Sequence, residues 1–119
     1  MDAYKAAFEA RDAGAGARLF AAGATYQWGP FGELLRGPEA IRERWAEAVG
    51  DPAETDYTFG YEILAVTAEI GVARWIASVT VPAEGRRLLY NGVFAVALDD
   101  QGLCREFREW WNTSEAPVA

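Results

Sequence analysis

The chain contains no histidine and only one cysteine, Cys104, among its 119 residues. Histidine is the side chain that most often moves protons near neutral pH, so acid–base chemistry would fall to a carboxylate, a tyrosine, a lysine or the thiol. One cysteine excludes an internal disulfide, and in a strand pattern we expect it to be a buried, inert thiol. Zinc and transition-metal sites have almost no ligands here, and we expect neither a metal nor a cofactor.

Basic residues are scarce as well: 11 Lys and Arg stand against 18 Asp and Glu, a formal net charge of −7. Such a chain repels polyanions on average, so we expect no nucleic acid partner. No apolar run approaches the roughly 20 residues of a membrane span. The N-terminus, M-D-A-Y-K, is charged and unlike a signal peptide. These observations predict a cytoplasmic protein that does not bind membranes.

What the chain does have is a globular composition, with 51% hydrophobic residues and 5 Trp, 5 Tyr and 6 Phe. Its length suits one domain over residues 1–119. Large aromatic side chains build a core, and a surplus of them often lines an apolar pocket. The composition therefore favours a compact domain with a cavity over an extended or disordered chain.

Helical patterns come first along the chain. A first helix is predicted from Asp2, which can cap it, and a short second helix over Ala17–Ala21, following two glycines. A third helix begins at Gly37-Pro38-Glu39, with proline at the first helical position and an acid in the first turn. One short strand, Ala24–Trp28, is predicted among these helices.

The second half of the chain changes to strand patterns. D-D-Q-G at residues 99–102 predicts a hairpin turn. Helices followed by a meander predict an α+β domain whose helices pack on one face of a curved antiparallel sheet. The four predicted strands are Tyr57–Val66, Ile70–Val81, Leu88–Leu98 and Leu103–Asn112.

The last strand, L-C-R-E-F-R-E-W-W-N, carries the most informative side chain. Alternation puts Glu109 between two aromatics of one face, Phe107 and Trp111, together with Arg105. A carboxyl group walled by aromatics can have a raised pKa and act as a general acid or base near neutral pH. The alternative is that Glu109 pairs with Arg74 or Arg105, because an unpaired buried carboxylate is costly.

Three segments in combination, L-F-A-x-x-A-T, G-P-E-A-I-R-E-R-W and R-E-F-R-E-W-W-N, resemble the nuclear transport factor 2-like superfamily, and within it the SnoaL-like group. The resemblance spans nearly the whole chain. It implies a cone-shaped fold, in which a curved mixed or antiparallel sheet wraps around N-terminal helices and encloses an apolar pocket. The superfamily hosts isomerases, dehydratases, epoxide hydrolases and polyketide cyclases as well as binding and scaffold domains, so the fold leaves the function open.

The resemblance can be followed residue by residue. The tyrosine donor of the family's steroid isomerases falls on Tyr4, but their two acids fall on Trp28 and Phe94, which argues against isomerase chemistry of that kind. The Arg-x-Asp signature of the epoxide hydrolases has no counterpart beyond Arg74-Trp75-Ile76. In the polyketide cyclases an acid reaches into the cone, and Glu109 is the comparable side chain here.

From the residues and the resemblance together we expect Glu109, Tyr4 and Tyr26 as candidate catalytic residues. Core packing is the competing interpretation for the tyrosines. The candidate ligand-binding residues are mainly aromatic side chains of the pocket face: Trp28, Trp75, Tyr90, Phe94, Phe107 and Trp111.

Three functions stay open at this point. The first is a cofactor-independent acid–base enzyme, such as a cyclase, isomerase or dehydratase, acting on a small apolar or aromatic molecule. The second is a binding module that uses the same pocket without chemistry. The third is a scaffold domain. The resemblance also implies a homodimer formed through the outer face of the sheet.

Overall fold

The computed structural model of the protein describes residues 1–29 and 31–117. Helices and strands alternate in the first half, and long strands fill the second. The elements are α1 (Asp2–Glu9), α2 (Ala13–Ala17), β1 (Phe20–Trp28), β2 (Leu34–Arg36), α3 (Pro38–Val49), β3 (Thr55–Val66), β4 (Gly71–Val81), β5 (Arg86–Leu98) and β6 (Cys104–Pro117).

The six strands form one curved sheet with the order β2-β1-β6-β5-β4-β3. Strands β1 and β6 run parallel, and every other pair of neighbours is antiparallel. The first and last parts of the sequence thus meet in the middle of the sheet. The α+β class, the mixed curved sheet and its N-terminal helices are confirmed.

Helix α3 forms as the sequence predicted. Gly37 takes a φ of +86°, which favours glycine, and Pro38 occupies the first turn. Ile41, Trp45 and Val49 follow at intervals of four residues and are buried. This spacing puts one apolar stripe of α3 against the sheet.

The second helix was predicted in the wrong place. It spans Ala13–Ala17, and Phe20 of the predicted helix Ala17–Ala21 already belongs to β1. Asp12 caps α2 by accepting a hydrogen bond from the Ala15 N–H at 2.9 Å. Gly14 and Gly16, which were expected to separate the first two helices, lie inside α2 instead. The missing Cβ of Gly16 lets the Trp45 ring pack directly on this helix.

The four predicted strands of the second half are confirmed, with β6 running further than expected. The 99–102 turn is also present: Gly102 has a φ of +81°, and the Asp99 carboxylate accepts hydrogen bonds from the Gln101 and Leu103 N–H groups at 2.9 Å. Strand β2, only three residues long, was not predicted, since so short a segment shows no periodicity.

The core lies between the helices and the inner face of the sheet and is mostly aromatic. Tyr26, Trp45 and Phe94 are at most 1% exposed. Cys104 is buried, and burial raises its thiol pKa to about 12, as expected for an inert cysteine. Among the described residues, no helix has the length and apolarity needed to cross a bilayer.

Candidate functional site

A cavity of about 220 Å³ lies between α1, α3 and the inner face of the sheet. Nine of its fifteen lining side chains are aromatic and two are acidic, Glu54 and Glu109. Within residues 1–29 and 31–117, no lysine or arginine lines it. Pockets for drug-sized ligands measure about 300–1,000 Å³, so this cavity suits a small and largely apolar molecule.

Glu109 projects from β6 into the cavity. In the sheet register it lies directly between Trp28 on β1 and Phe94 on β5, the two positions that correspond to the isomerase acids in the resemblance. The side chain is 7% exposed, and none of the described residues pairs with its carboxyl group or donates a hydrogen bond to it. Burial alone raises the pKa of Glu109 to about 8.

The two arginines considered as partners of Glu109 point elsewhere. Arg74 is exposed. It pairs across the sheet with Val93, which pairs with Trp110, and these three residues lie on the outer face. Arg105 was expected on the same face as Glu109, but β6 bulges there: Glu106 pairs with Ala97 and Cys104 with Leu98, which leaves Arg105 unpaired in the ladder. The bulge turns Arg105 to solvent and Cys104 inward, so the predicted phase was wrong at the start of the strand.

Tyr4 reaches the cavity from α1. Its ring centroid lies 5.0 Å from that of Trp45, 5.2 Å from that of Phe94 and 5.6 Å from that of Phe107. Burial, followed by the charge of Glu109, raises the pKa of Tyr4 well above its usual value. The hydroxyl therefore stays protonated near the carboxyl group and can serve only as a neutral donor or acceptor.

Six of the nine side chains named from the sequence line the cavity: Tyr4, Trp28, Trp75, Tyr90, Glu109 and Trp111. The other three, Tyr26, Phe94 and Phe107, are buried but do not line it. Phe94 and Phe107 pack against the ring of Tyr4, which does line the cavity, and Tyr26 stacks on Phe107. Burial raises the pKa of Tyr26 well above its usual value, so its hydroxyl also stays protonated.

Four buried polar groups near the cavity have no hydrogen-bond partner among the described residues. They are the Nε1 groups of Trp28, Trp45 and Trp75 and the hydroxyl of Tyr26. A buried donor without a partner costs about 1–3 kcal/mol. A bound molecule with acceptor oxygens would recover part of this cost once small side-chain movements let it reach these groups.

The lining of the cavity includes residues that the sequence did not reveal. Tyr57 and Phe59 alternate along β3 with their side chains buried, a period-two signal that could have identified them. Trp45 was assigned only to the apolar stripe of α3. Glu54 gave no signal, because it lies in the irregular segment between α3 and β3.

No group of three or more potential metal-binding side chains (His, Cys, Asp or Glu) converges within the described part of the chain. The cavity presents a carboxyl group with a raised pKa, neutral hydroxyl and indole groups, and aromatic walls.

Comparison with known proteins gives the family context. A family model described as a SnoaL-like domain matches residues 1–107. No curated protein sequence matches significantly. One similar solved structure is that of SalBIII, an epoxide hydrolase/cyclase-like enzyme described as having a role in pyran ring formation in the polyether salinomycin. The similarity covers 92% of this chain and 84% of that protein, with a TM-score of 0.76 and 20% sequence identity.

Two further structures are similar. RV0760c from Mycobacterium tuberculosis has a TM-score of 0.80 at 17% identity, covering 97% of this chain and 92% of that one. A protein of ketosteroid isomerase-like fold from Catenulispora acidiphila, in complex with trimethylamine, has a TM-score of 0.78 at 14% identity, covering 92% and 82%. At such identities these likenesses establish the fold alone.

Proposed function

The chain belongs to the SnoaL-like domain family, and on this premise we propose that its cavity is a cofactor-independent acid–base site for a small apolar or aromatic molecule. Glu109 is the proposed proton-transfer residue. The observation that carries the proposal is the setting of this carboxyl group, which is buried among aromatics without an ionic partner in the described chain. A pKa of about 8 suits a group that must both take and return a proton near neutral pH.

The proposed reaction is proton abstraction from a carbon next to a carbonyl group. The ionised Glu109 removes this proton, and the electron pair moves onto the carbonyl oxygen to give an enolate. Tyr4 donates a hydrogen bond to that oxygen, whereas Tyr26 does not line the cavity and takes no part in this step. The protonated Glu109 then returns the proton to the same or a neighbouring carbon, so the step needs no redox partner.

The relatives support a small-molecule role without naming a substrate. SalBIII is described as epoxide hydrolase/cyclase-like, and the Catenulispora acidiphila protein is in complex with trimethylamine. Both descriptions are consistent with a fold that accommodates small molecules. The identity of the reaction is argued from Glu109 and not from these proteins.

Hydrogen–deuterium exchange tests the proposal without knowledge of the natural substrate. We expect the protein to accelerate exchange of the α-protons of small cyclic ketones such as 1-indanone and 2-tetralone in D2O, followed by NMR. The rate should rise with pH up to about 8 and then level off, because the ionised form of Glu109 is the base. Equal acceleration by wild type and Glu109→Gln would refute the role of this residue.

Binding without chemistry is the second candidate, and one observation favours it. The two register neighbours of Glu109 are Trp28 and Phe94, so no second acid stands beside it in the sheet. A binding module predicts that Glu109→Gln retains ligand affinity and that neither protein accelerates exchange.

We also propose that the protein forms a homodimer through the outer face of the sheet. Ile76, Leu89 and Trp110 project from neighbouring strands on the face opposite the cavity and are between 36% and 53% exposed. Apolar side chains gathered on one face are typical of protein–protein contacts. In this arrangement each cavity remains within its own subunit.

A further inference from the structure

Glu54 is the second carboxylate of the cavity and lies at its rim. It is half-buried, in the segment that links α3 to β3, and it lines the cavity together with Tyr57 and Tyr90. Burial, followed by the charge of Glu54, raises the pKa of Tyr90, which indicates that the carboxylate and this ring are close. None of the described lysine or arginine side chains forms an ion pair with Glu54.

The position of Glu54 is fixed by an unusual arrangement around Arg11. Arg11 adopts a left-handed backbone conformation with a φ of 57°, which non-glycine residues rarely take. Its guanidinium donates to the main-chain carbonyls of Val49 at 2.5 Å, Asp51 at 2.5 Å and Glu54 at 2.8 Å. The positive charge of Arg11 is thereby directed to the backbone and not to the Glu54 carboxylate.

Tyr57 fixes the side chain of Glu54 in turn. Its hydroxyl donates to Glu54 Oε1 at 2.5 Å, and it lies 3.2 Å from the Ala48 carbonyl. Arg11 stacks over the Tyr57 ring, with 4.6 Å between the guanidinium carbon and the ring centroid. The result is a preorganised carboxylate at the mouth of a cavity whose inner end carries the buried Glu109.

A neutral ligand gains little from the charge of Glu54, whereas an ammonium group can pair with this carboxylate and gains from the nearby aromatic faces. Building on the acid–base site proposed above, we infer that the ligand carries a protonated amine, which binds Glu54 at the mouth while the apolar part of the molecule occupies the cavity. Glu54 is then a specificity-determining residue, and the substrate class is a small amine with an apolar or aromatic body.

The test compares two probes of equal length, 2-phenylethylamine and 2-phenylethanol, by calorimetry at pH 7 and 150 mM salt. Wild type should bind the amine about fivefold to tenfold more tightly than the alcohol, as a partly exposed ion pair with aromatic contacts allows. Glu54→Gln should abolish this preference and keep the affinity for the alcohol, which also shows that the cavity is intact.

Glu39→Gln is the matched control, because it removes one exposed acid from the first turn of α3 and leaves the cavity lining unchanged. Retained preference in this variant separates the role of Glu54 from the net negative charge of the protein. The inference is overturned if wild type binds the two probes equally, if neither probe binds at millimolar concentration, or if Glu54→Gln keeps the preference. Ketone exchange that depends on Glu109 would still stand in each of these cases, so the two proposals fail separately.

Discussion

A single carboxyl group, Glu109, determines the chemistry proposed for this protein. It lies in the sheet between Trp28 and Phe94 and is 7% exposed. Transfer of an ionised carboxylate into such surroundings is expensive without a partner, so the neutral form is favoured and the pKa rises to about 8. The same desolvation that makes the residue unfavourable for stability makes it suitable for proton transfer.

Burial of the Glu109 carboxyl group should make the free energy of unfolding depend on pH. Its pKa is raised from 4.5 to about 8 in the folded protein, so wild type should lose stability as the pH rises from about 4.5 to about 8 and change little above that. Glu109→Gln, which mimics the neutral form, should not show this loss. The difference in unfolding free energy should grow to an upper limit of about 5 kcal/mol, measured by urea denaturation from pH 5 to pH 9.

Glu39→Gln provides the exposed control for this series and should follow wild type at every pH. Parallel curves for wild type and Glu109→Gln would mean that Glu109 ionises normally in the folded protein.

Residues of this site were predictable where the strand alternates regularly and unpredictable where it does not. Glu109 and Trp111 follow from alternation along β6. Arg105 does not, because the bulge that rotates it to solvent depends on pairing with β5 and leaves no mark in the local pattern. Glu54 was missed since its position depends on hydrogen bonds from Arg11, 43 residues away in the chain.

At the scale of elements, α2 shows how tertiary packing overrides local propensity. Its sequence is A-G-A-G-A, and glycine disfavours a helix by about 1 kcal/mol relative to alanine. A Cβ atom added at Gly16 would lie 2.6 Å from Cε3 of Trp45, whereas one added at Gly14 would meet the flexible end of Arg18 at 3.3 Å and Oδ1 of Asp12 at 3.5 Å, an ordinary contact. Only the glycine at position 16 is therefore required by packing.

These two glycines make a matched pair for a stability test. Gly14→Ala should be neutral or stabilise the protein by up to about 1 kcal/mol, because it improves helix propensity. Gly16→Ala should destabilise it by about 1–3 kcal/mol, because the Trp45 ring must move. Urea denaturation of both variants measures the difference, and equal effects would contradict the close contact between α2 and α3.

Long elements were predicted well and short ones were not. Helix α3 and the four long strands have clear caps or periodicity, and they appear where the sequence put them. The five-residue α2 and the three-residue β2 are stabilised by the elements that they pack against or pair with. Segments this short have no periodicity from which a helix or a strand could be predicted.

At the scale of the molecule, the inner and outer faces of one sheet have separate proposed roles. The inner face carries the cavity, and the outer face carries Ile76, Leu89 and Trp110. The fold could be predicted almost entirely, because long strands and a family resemblance agreed. The function could not, since proteins of this fold differ in the few side chains inside the sheet.

The dimer predicted from the outer face can be tested by sedimentation velocity at tens of micromolar protein. Wild type should sediment as a dimer and Ile76→Glu as a monomer, because a charge would be buried in the interface. Val66→Glu, at a 71% exposed position elsewhere on the molecule, is the control and should remain dimeric. A monomeric wild type would contradict the proposed interface.

Titration of Glu109 tests most directly whether its carboxyl group is buried and unpaired. NMR of protein labelled with 13C at the glutamate side chains, with Glu109→Gln used to assign the resonance, gives its pKa. We predict a pKa of about 8 for Glu109, well above the ordinary value of a glutamate side chain. A Glu109 resonance that titrates between about pH 4 and pH 5 would mean that the carboxyl group is solvated or paired and not isolated in an apolar cavity.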